Sequence, residues 1–395
     1  MSSLAADFVG AIRSVVGHSG EPIGLHVPEI GELEHQYLKE CLDSTFVSSV
    51  GAFIPKLETR MQEITGAKHA IAVSNGTVGL QVAMFLAGVK PGDEVVIPTL
   101  SFIATANAVA HCGAVPYFVD SEESTLGMSP VALRIALESF ERRGFELINP
   151  VSGRRVSAIV PMHTLGHPVD IKAIVALGDE FGLPVVEDAA ESLGSFVDGQ
   201  HTGTFGLTGM ISFNGNKIVT TGGGGVILTN DDELGRKAKH LTTTAKLAHR
   251  WEFEHDEVAW NYRMPNLNAA LGMAQLDKYP RYLAQKRVLA DRYAAAFAGV
   301  SGMSFVPEPA GTTSNYWLCA VRLDSPSLAV RDELMEAAHE AGLLVRPMWN
   351  LLHKQRMYAG APAAGDSLGG NLNVATALHA SLICIPSTPK LAERL

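Results

Sequence analysis

Cysteine is scarce in this chain, and the four cysteines that occur, Cys41, Cys112, Cys319 and Cys384, have no CxxC spacing. Scattered cysteines favour reduced, buried thiols over a disulfide framework or a structural metal site. Long apolar runs are also missing: no stretch reaches the length of a membrane span, and the N-terminus lacks the features of a signal peptide. These absences predict a cytoplasmic protein that does not associate with a membrane.

An excess of positive charge is absent as well, because 31 Lys and Arg residues are outnumbered by 41 Asp and Glu residues, for a formal net charge of -10. Binding to nucleic acid needs clustered basic side chains, so this balance argues against a nucleic-acid partner. A nucleotide attached to a small molecule needs only a few local basic groups. The remaining composition, with 47% hydrophobic residues among 395, is that of a globular protein with room for two domains.

Short β-branched runs alternate with longer helical patterns through the middle of the chain. This alternation predicts an α/β domain whose large, mostly parallel sheet is covered on both faces. After Asn266 a long helical stretch precedes shorter strands, which predicts a smaller α+β domain with a linking helix. We place the large domain at 52–266 and the small domain at 1–51 and 267–395.

The predicted elements follow from this pattern. The strands are Ala70–Val73, Glu94–Ile97, Val115–Val119, Ala158–Pro161, Pro184–Glu187, Met210–Phe213 and Gly225–Leu228, with Asn315–Val321, Leu343–Arg346 and Leu382–Pro386 in the small domain. The helices are Val78–Ala87, Ala104–His111, Pro130–Arg142, Ile171–Phe181, Leu267–Ala298 and Arg331–Ala341.

An acidic residue and a lysine follow two of these strands. Asp188 ends the apolar run Pro184–Glu187, and Lys217 closes the segment Ser212–Lys217, just before the glycine run Gly222–Gly225. Ligands bind at the carboxyl ends of strands in open α/β sheets. Pyridoxal phosphate needs an amine for its aldehyde, a carboxylate for its ring nitrogen and hydroxyls for its phosphate. The order of these residues therefore predicts a pyridoxal phosphate site.

Each of these residues also has a simpler interpretation. Lys217 could be a surface lysine in a glycine-rich loop, and Asp188 could be a helix N-cap. Their combination favours Lys217 as the amine that forms a Schiff base after partial burial has removed its charge, and Asp188 as the partner of the ring nitrogen. Glu191 is a candidate for the ring hydroxyl, or else a charge favoured at a helix start.

Phosphate and ring contacts are predicted from two further strand ends. Gly76 and Thr77 open a helix directly after Ala70–Val73, and the N–H groups of a helix start bind anions. Ser212 would add another phosphate contact, and Phe102 is a candidate to stack on the cofactor ring. The alternatives are a plain strand-to-helix turn for Gly76 and Thr77 and a core position for Phe102.

Polar and aromatic side chains in other loops are candidates for substrate contact. His163 follows a predicted strand, and because no third ligand accompanies His163 and His167, we expect no metal. The loop Trp260–Asn266 suits an anion, a sugar or a dimer interface. Similar clusters occur near 242–251, 315–317 and 346–353, although Trp and Tyr also fill cores and interfaces. From these clusters we select Lys246, Arg263, Trp349 and His353.

Taken together, the motifs resemble those of the DegT/DnrJ/EryC1/StrS family of sugar aminotransferases, from about Phe46 to Pro386. The resemblance is carried by Asn75–Thr77, Val186–Ser192, Ser212–Lys217 and Asn261–Met264. It implies the aspartate aminotransferase-like fold type I of pyridoxal phosphate enzymes, with pyridoxamine phosphate formed during turnover.

The same resemblance implies a homodimer with shared active sites. In it, Asn261 would reach the cofactor phosphate of the neighbouring subunit. Ser48, Ser49 and Gly51 would approach the nucleotide of the substrate, and Lys217 and Asp188 would keep the roles given above.

Within the family the chain is most similar to the LegC-type branch. The segments SFNGNKIVTTGGGG, HLTTTAK, HRWEFEHDEV and RPMWNLLHK carry this likeness. It implies amination of C4 of a UDP-linked 4-keto-6-deoxy-N-acetylhexosamine, with L-glutamate as donor, for bacterial surface glycans. Alternatives are C3 or C4 amination of a dTDP- or GDP-linked sugar, a family dehydratase and a non-catalytic cofactor-binding regulator. Lys217 argues against the dehydratase, and Lys217 with Asp188 argues against the regulator.

Overall fold

The computed structural model describes residues 2–364 and 371–393. Its α-helices are α1 (Ser3–Val16), α2 (Glu32–Asp43), α3 (Phe53–Thr65), α4 (Gly76–Leu86), α5 (Ile103–His111), α6 (Pro130–Glu138), α7 (Ile171–Phe181), α8 (Asp232–Thr242), α9 (Asn266–Phe297), α10 (Leu328–Glu340) and α11 (Asn373–Ser381). Short 3-10 helices lie at Thr164–Gly166, Leu352–Lys354, Arg356–Tyr358 and Pro389–Glu393.

The strands lie in both domains, and those at 94–98, 208–212 and 225–229 are buried along their whole length. In chain order the strands are β1 (His69–Val73), β2 (Glu94–Pro98), β3 (Val115–Val119), β4 (Glu141–Arg143), β5 (Glu146–Ile148), β6 (Arg155–Ile159), β7 (Val186–Asp188), β8 (Phe196–Val197), β9 (Gln200–His201), β10 (Thr208–Ser212), β11 (Gly225–Thr229), β12 (Met303–Phe305), β13 (Thr312–Thr313), β14 (Cys319–Leu323), β15 (Arg346–Pro347), β16 (Ala363–Ala364) and β17 (Leu382–Ile385).

One broad mixed sheet forms the centre of the large domain. Its two parts have the orders β1-β11-β10-β7 and β16-β3-β2-β6-β5-β4, and the parallel bridges Ile159↔Val185 and Met162↔Asp188 connect them. Strands β16, β3, β2, β6, β7 and β10 pair in parallel, whereas β11 runs antiparallel to β1 and β10. The predicted α/β class with a mostly parallel sheet is confirmed.

Helix α4 begins at the carboxyl edge of this sheet because Asn75 caps it. The Asn75 side chain accepts a hydrogen bond from the Val78 N–H at 3.0 Å. Glycine allows close packing against β10, since a Cβ on Gly79 would lie 2.9 Å from the Met210 side chain. The start of α4 is therefore held beside the ends of β7 and β10, the strands that carry Asp188 and lead to Lys217.

The long helix α9 connects the two domains. Ala269, Ala270 and Leu276 in its first half pack in a core shared with α3 and the large sheet. Tyr293 and Phe297 in its second half belong to the core formed with α1, α10 and the sheet β12-β14-β17-β15. None of the helices in the described ranges combines the length and the apolar character of a membrane span.

Apart from strands that shift by a few residues, such as Arg346–Pro347 for the strand predicted at Leu343–Arg346, three boundaries differ from the sequence-based expectations. The helix predicted at Pro130–Arg142 ends at Glu138, because residues 141–143 form a hairpin with β5. The strand predicted at Asn315–Val321 begins only at Cys319, since the Asn315 side chain accepts the Trp317 N–H in a turn.

The third difference concerns the domain division. Residues 352–364, assigned from sequence to the small domain, return to the large one: the Leu352 N–H donates to the Thr99 carbonyl at 2.9 Å, and β16 extends the large sheet beside β3. Leu352 and Tyr358 pack there with Phe118. Apolar side chains near the end of the chain therefore complete the core of the large domain.

We expect a methyl group at Gly209 in β10 to destabilise the fold. A Cβ there would lie 2.2 Å from the Gly203 carbonyl oxygen, a backbone atom that cannot rotate away. Gly209→Ala should lower the free energy of unfolding by about 1–3 kcal/mol, the usual cost of overpacking. The matched control is Gly10→Ala in α1, where no atom lies within 4 Å of the added Cβ. That change should stabilise by roughly 0.5–1 kcal/mol. Urea unfolding of both variants measures the difference, and equal midpoints would contradict the packing described.

Candidate active site

A cavity of about 320 Å³ lies at the carboxyl edge of the large sheet, where the small domain closes over it with Trp317 and Trp349. Its wall is built from the ends of β7 and β10, the start of α4 and the region before α5. It includes these residues selected from the sequence: Gly76, Thr77, Phe102, Asp188, Glu191, Ser212, Lys217 and Trp349.

Asp188 is a buried carboxylate at the end of β7. Its Oδ2 accepts a hydrogen bond from Thr105 Oγ1 at 2.7 Å, and its Oδ1 accepts the Ala190 N–H at 3.2 Å. Burial raises the pKa of Asp188, because its neighbours stabilise the charged form less than water would. A cationic group in the cavity would stabilise the carboxylate further, and the protonated ring nitrogen of pyridoxal phosphate is such a group.

Lys217 brings an amine to the same cavity. A turn in which the Lys217 N–H donates to the Asn214 carbonyl at 2.9 Å carries it out of β10. Its Nζ lies 3.1 Å from Glu191 Oε1, and its side chain is 12% exposed. Glu191 Oε2 accepts the Leu165 N–H at 2.9 Å, and burial raises the pKa of Glu191 to about 7. The amine therefore faces a carboxyl group that can hold a proton near neutral pH.

The start of α4 fits an anion. The first N–H groups of a helix have no partner within it, and its dipole favours negative charge. A Cβ on Gly76 would lie 3.1 Å from Met210 Sδ and 3.2 Å from the Ser212 Cβ, so a side chain there would fill the space. Gly76 thus keeps a small cradle open between the helix and Ser212, of the kind that a phosphate needs.

Two aromatic side chains complete the wall. The rings of Phe102 and Trp349 meet edge to face, with centroids 6.2 Å apart. Phe102 is 48% exposed and lines the cavity, so part of its ring is open to a ligand there. An amine, a carboxylate, an anion cradle and an aromatic surface are together the parts that pyridoxal phosphate requires.

The structure does not bring His163 to this wall. Its ring is fully buried, with Nε2 3.0 Å from Glu187 Oε2 and Nδ1 accepting the Val169 N–H at 3.2 Å. Glu187 in turn accepts the N–H groups of Gly203, Phe205 and Gly206. Both ring nitrogens are therefore engaged in holding the core, and the predicted substrate contact of His163 is not supported.

Other predicted contacts also lie outside the cavity wall. His353 Nδ1 lies 2.6 Å from Thr99 Oγ1. Lys246 Nζ lies 3.6 Å from the centroid of the Phe253 ring. Arg263 Nε donates to Asn261 Oδ1 at 2.9 Å, and Asn261 is exposed.

The N-terminal serine segment is separated from the cavity in the same way. The Ser48 carbonyl accepts the Asn266 N–H at 2.6 Å, while Ser49 is half-buried beside it. A Cβ on Gly51 would lie 2.2 Å from the Asn266 side chain. This segment is thus tied to the start of α9.

Among the cavity residues that were not selected from the sequence, Trp317 and Asn216 contact each other. Trp317 belongs to a cluster noted for its aromatic character, and its Nε1 donates to the Asn216 carbonyl at 2.8 Å. Asn216 lies within the lysine motif itself and also lines the cavity. No local pattern joins these residues, because 101 positions of sequence separate them.

Comparisons with known proteins identify the family of this chain. The model of the DegT/DnrJ/EryC1/StrS aminotransferase family matches residues 28–394. The GDP-perosamine synthase of Vibrio cholerae is 37% identical over 336 residues, which cover 85% of this chain and 87% of that relative. EpsN of Bacillus subtilis (strain 168) carries the name of a pyridoxal phosphate-dependent aminotransferase. It is 36% identical to this chain over 371 residues, which cover 94% of this chain and 92% of EpsN.

A solved structure supports the same relationship. The aminotransferase TlmJ from Streptoalloteichus hindustanus has a TM-score of 0.81 to this chain at 33% identity, with 93% of each chain covered. The predicted fold type I and the predicted cofactor are confirmed. The chain belongs to the DegT/DnrJ/EryC1/StrS aminotransferase family, and it is a pyridoxal phosphate-dependent enzyme that aminates nucleotide-linked sugars.

Proposed function

We propose that this enzyme moves the amino group of L-glutamate to C4 of a UDP-linked 4-keto-6-deoxy-N-acetylhexosamine. The observation that carries the catalytic part is the single cavity that holds Lys217, Asp188 and the start of α4. The choice of sugar and nucleotide rests on the LegC-type segments, SFNGNKIVTTGGGG and RPMWNLLHK among them. The product would serve the synthesis of bacterial surface glycans.

The cofactor contacts follow from the chemistry of the donor set. When bound, pyridoxal phosphate supplies an electron sink that allows an amino group to pass from one carbon to another. We assign its aldehyde to Lys217 and its ring nitrogen to Asp188. Its phosphate goes to the cradle formed by Gly76 and Thr77 with Ser212, and Phe102 covers one face of its ring.

Proton transfer is assigned to the amine of Lys217. Once free of the aldehyde, Lys217 Nζ takes a proton from the donor carbon and returns one to the acceptor carbon as a general base and acid. Glu191 Oε1, at 3.1 Å, is the neighbour that can stabilise the charged amine or exchange a proton with it. The wall formed by Trp317, Trp349 and Phe102 limits water around this exchange.

A second copy of the chain is part of the proposal. Asn261, Arg263, Lys246 and the segment at Ser48 and Ser49 lie away from the cavity of their own chain, and most are exposed or half-exposed. We assign them to the shared face of a homodimer, with Asn261 directed to the partner's cofactor phosphate. Trp349 is assigned to the sugar side of the chain's own cavity, whereas His353, bonded to Thr99 outside the cavity wall, is not.

A GDP-linked sugar is the second candidate substrate. The Vibrio cholerae relative is named GDP-perosamine synthase, and two further relatives with that name are 36% and 35% identical to this chain. Those names favour a GDP-linked 4-keto-6-deoxy sugar with the same C4 chemistry. The two candidates differ in the nucleotide and in the 2-substituent of the sugar.

The substrate is tested by one panel. Enzyme converted with L-glutamate and freed of donor is offered UDP-, dTDP- and GDP-linked 4-keto-6-deoxy sugars. Return of the visible absorbance of the aldehyde form of the cofactor is followed. We expect return with the UDP-linked N-acetylhexosamine at least about tenfold faster than with the others, a difference of roughly 1.4 kcal/mol in transition-state binding.

The controls separate the parts of this proposal. Faster return with the GDP-linked sugar would replace the first candidate by the second. Lys217→Ala should show no conversion by L-glutamate while its far-UV dichroism stays native. A glutamate half-reaction retained in that variant would overturn the assignment of Lys217.

Glu191 should make stability depend on pH. Burial raises its pKa from 4.5 to about 7, so the folded state binds more protons than the unfolded state between these values. The contribution of Glu191 to the free energy of unfolding is fully present below about pH 4.5. This contribution, roughly 3 kcal/mol at most, is lost as the pH rises through about 7. Glu191→Gln should remove this dependence. Urea unfolding of the cofactor-free protein and the variant at pH 5 and pH 8 measures it, and parallel changes in both would contradict the burial effect.

A further inference from the structure

The amine of Lys217 rests on an aromatic face as well as beside a carboxylate. Its Nζ lies 3.8 Å from the centroid of the Trp317 ring and 3.1 Å from Glu191 Oε1. The face of an indole ring attracts a cation, and the attraction grows where water is excluded. We call these two groups, the ring of Trp317 and the carboxylate of Glu191, the ammonium site.

Hydrogen bonds connect Trp317 both to the turn that carries Lys217 and, through Asn315, to the backbone of Glu191. Its Nε1 donates to the Asn216 carbonyl at 2.8 Å, in the turn that carries the lysine. Its backbone N–H donates to Asn315 Oδ1 at 2.7 Å, and Asn315 Nδ2 donates to the Glu191 carbonyl at 2.8 Å. One tryptophan therefore fixes the position of the lysine turn relative to Glu191.

A buried lysine holds the backbone of Trp317. Lys286 Nζ donates to the Trp317 carbonyl at 2.6 Å and also to the Ser387 carbonyl. Lys286 is fully buried, and in residues 2–364 and 371–393 no carboxylate forms an ion pair with it. Burial lowers the pKa of Lys286 to about 7. An apolar side chain of similar size would avoid the cost of burying this amine, so stability alone does not explain it.

We propose that Trp317 is a positioning residue that keeps the released amine of Lys217 at the reacting carbons, and that Lys286 fixes Trp317 for this task. Lys217 would be free of a bound cofactor whenever that cofactor held the amino group. A free lysine side chain rotates about four bonds, and proton transfer needs its amine within reach of the reacting carbon. The ammonium site holds the amine in that position. This inference rests on the assignment of Lys217 made above.

The test uses holoenzyme in the pyridoxamine phosphate form and trace labelling with acetic anhydride. An ammonium group does not react with this reagent, whereas a neutral amine does. Mass spectrometry of peptides gives the labelling of Lys217 relative to the exposed Lys172 in the same sample. Loss of the aromatic face in Trp317→Leu should raise labelling of Lys217 at pH 7 about three- to tenfold.

Two comparisons separate positioning from simple opening of the cavity. Easier reagent access would raise labelling equally at pH 7 and pH 10.5, whereas loss of the ammonium site should have a smaller effect at the higher pH. Trp317→Phe keeps an aromatic face and should give a smaller rise than Trp317→Leu. It also provides a measurable variant if the leucine protein does not fold.

Lys286→Met tests the second part of the proposal. It should raise labelling of Lys217 in the otherwise native chain and add nothing in the Trp317→Leu background, because both changes act through the same ring. Additive effects of the two substitutions on labelling would contradict a role of Lys286 that depends on Trp317.

The pyridoxal phosphate form of the native enzyme distinguishes this inference from the proposed function. Lys217 should be unlabelled there, because the cofactor occupies its amine. Labelling of Lys217 in that form would overturn its assignment. Protection in that form, with labelling in the pyridoxamine phosphate form unchanged in both Trp317 variants, would overturn only the positioning role.

Discussion

The site depends on the burial of one carboxylate, Asp188, at the end of a strand in the sheet interior. Its hydrogen-bond partners in the described part of the chain are the hydroxyl of Thr105 and the N–H of Ala190, neither of which carries a charge. The nearby charge of Lys217 offsets only part of the cost of burial, which raises the pKa of Asp188. A buried anion costs free energy unless a cation compensates it fully. A bound cofactor with a protonated ring nitrogen offsets that cost. Cofactor binding and the stability of the cavity are therefore linked through this residue.

Parallel strand order explains why the other groups meet Asp188. Strands β7 and β10 end at the same edge, so the turn after β10 delivers Lys217 beside it. The start of α4 opens at this edge because β1 joins the sheet through β11. The small domain closes the cavity with Trp317 and Trp349, and α9 ties its position to the large domain, since its two halves belong to the two cores. Closure is thereby a property of the whole fold.

Local patterns in the sequence predicted the features that depend on local structure. The strand end at Asp188, the end of β10 before the Lys217 turn, the helix start at Gly76 and the helix Ile171–Phe181 follow from apolar runs and capping residues. Contacts between distant segments were not predicted. His163 follows a strand like a site residue, yet Glu187 and the Val169 N–H engage its ring. Lys286 has the pattern of a surface lysine on a long helix, yet it is buried, and its Nζ donates to the Trp317 and Ser387 carbonyls.

Lys217 is assigned as the lysine that holds the cofactor, and the chain contains a second buried lysine that could compete for this role. Lys286 is buried, and its lowered pKa of about 7 would make it a reactive amine if a cofactor could reach it. Borohydride reduction of the pyridoxal phosphate-loaded enzyme attaches the cofactor permanently to the lysine that holds it. Peptide mass spectrometry then identifies that lysine. We expect a phosphopyridoxyl group on Lys217, and its presence on Lys286 or another lysine instead would contradict the assignment of Lys217.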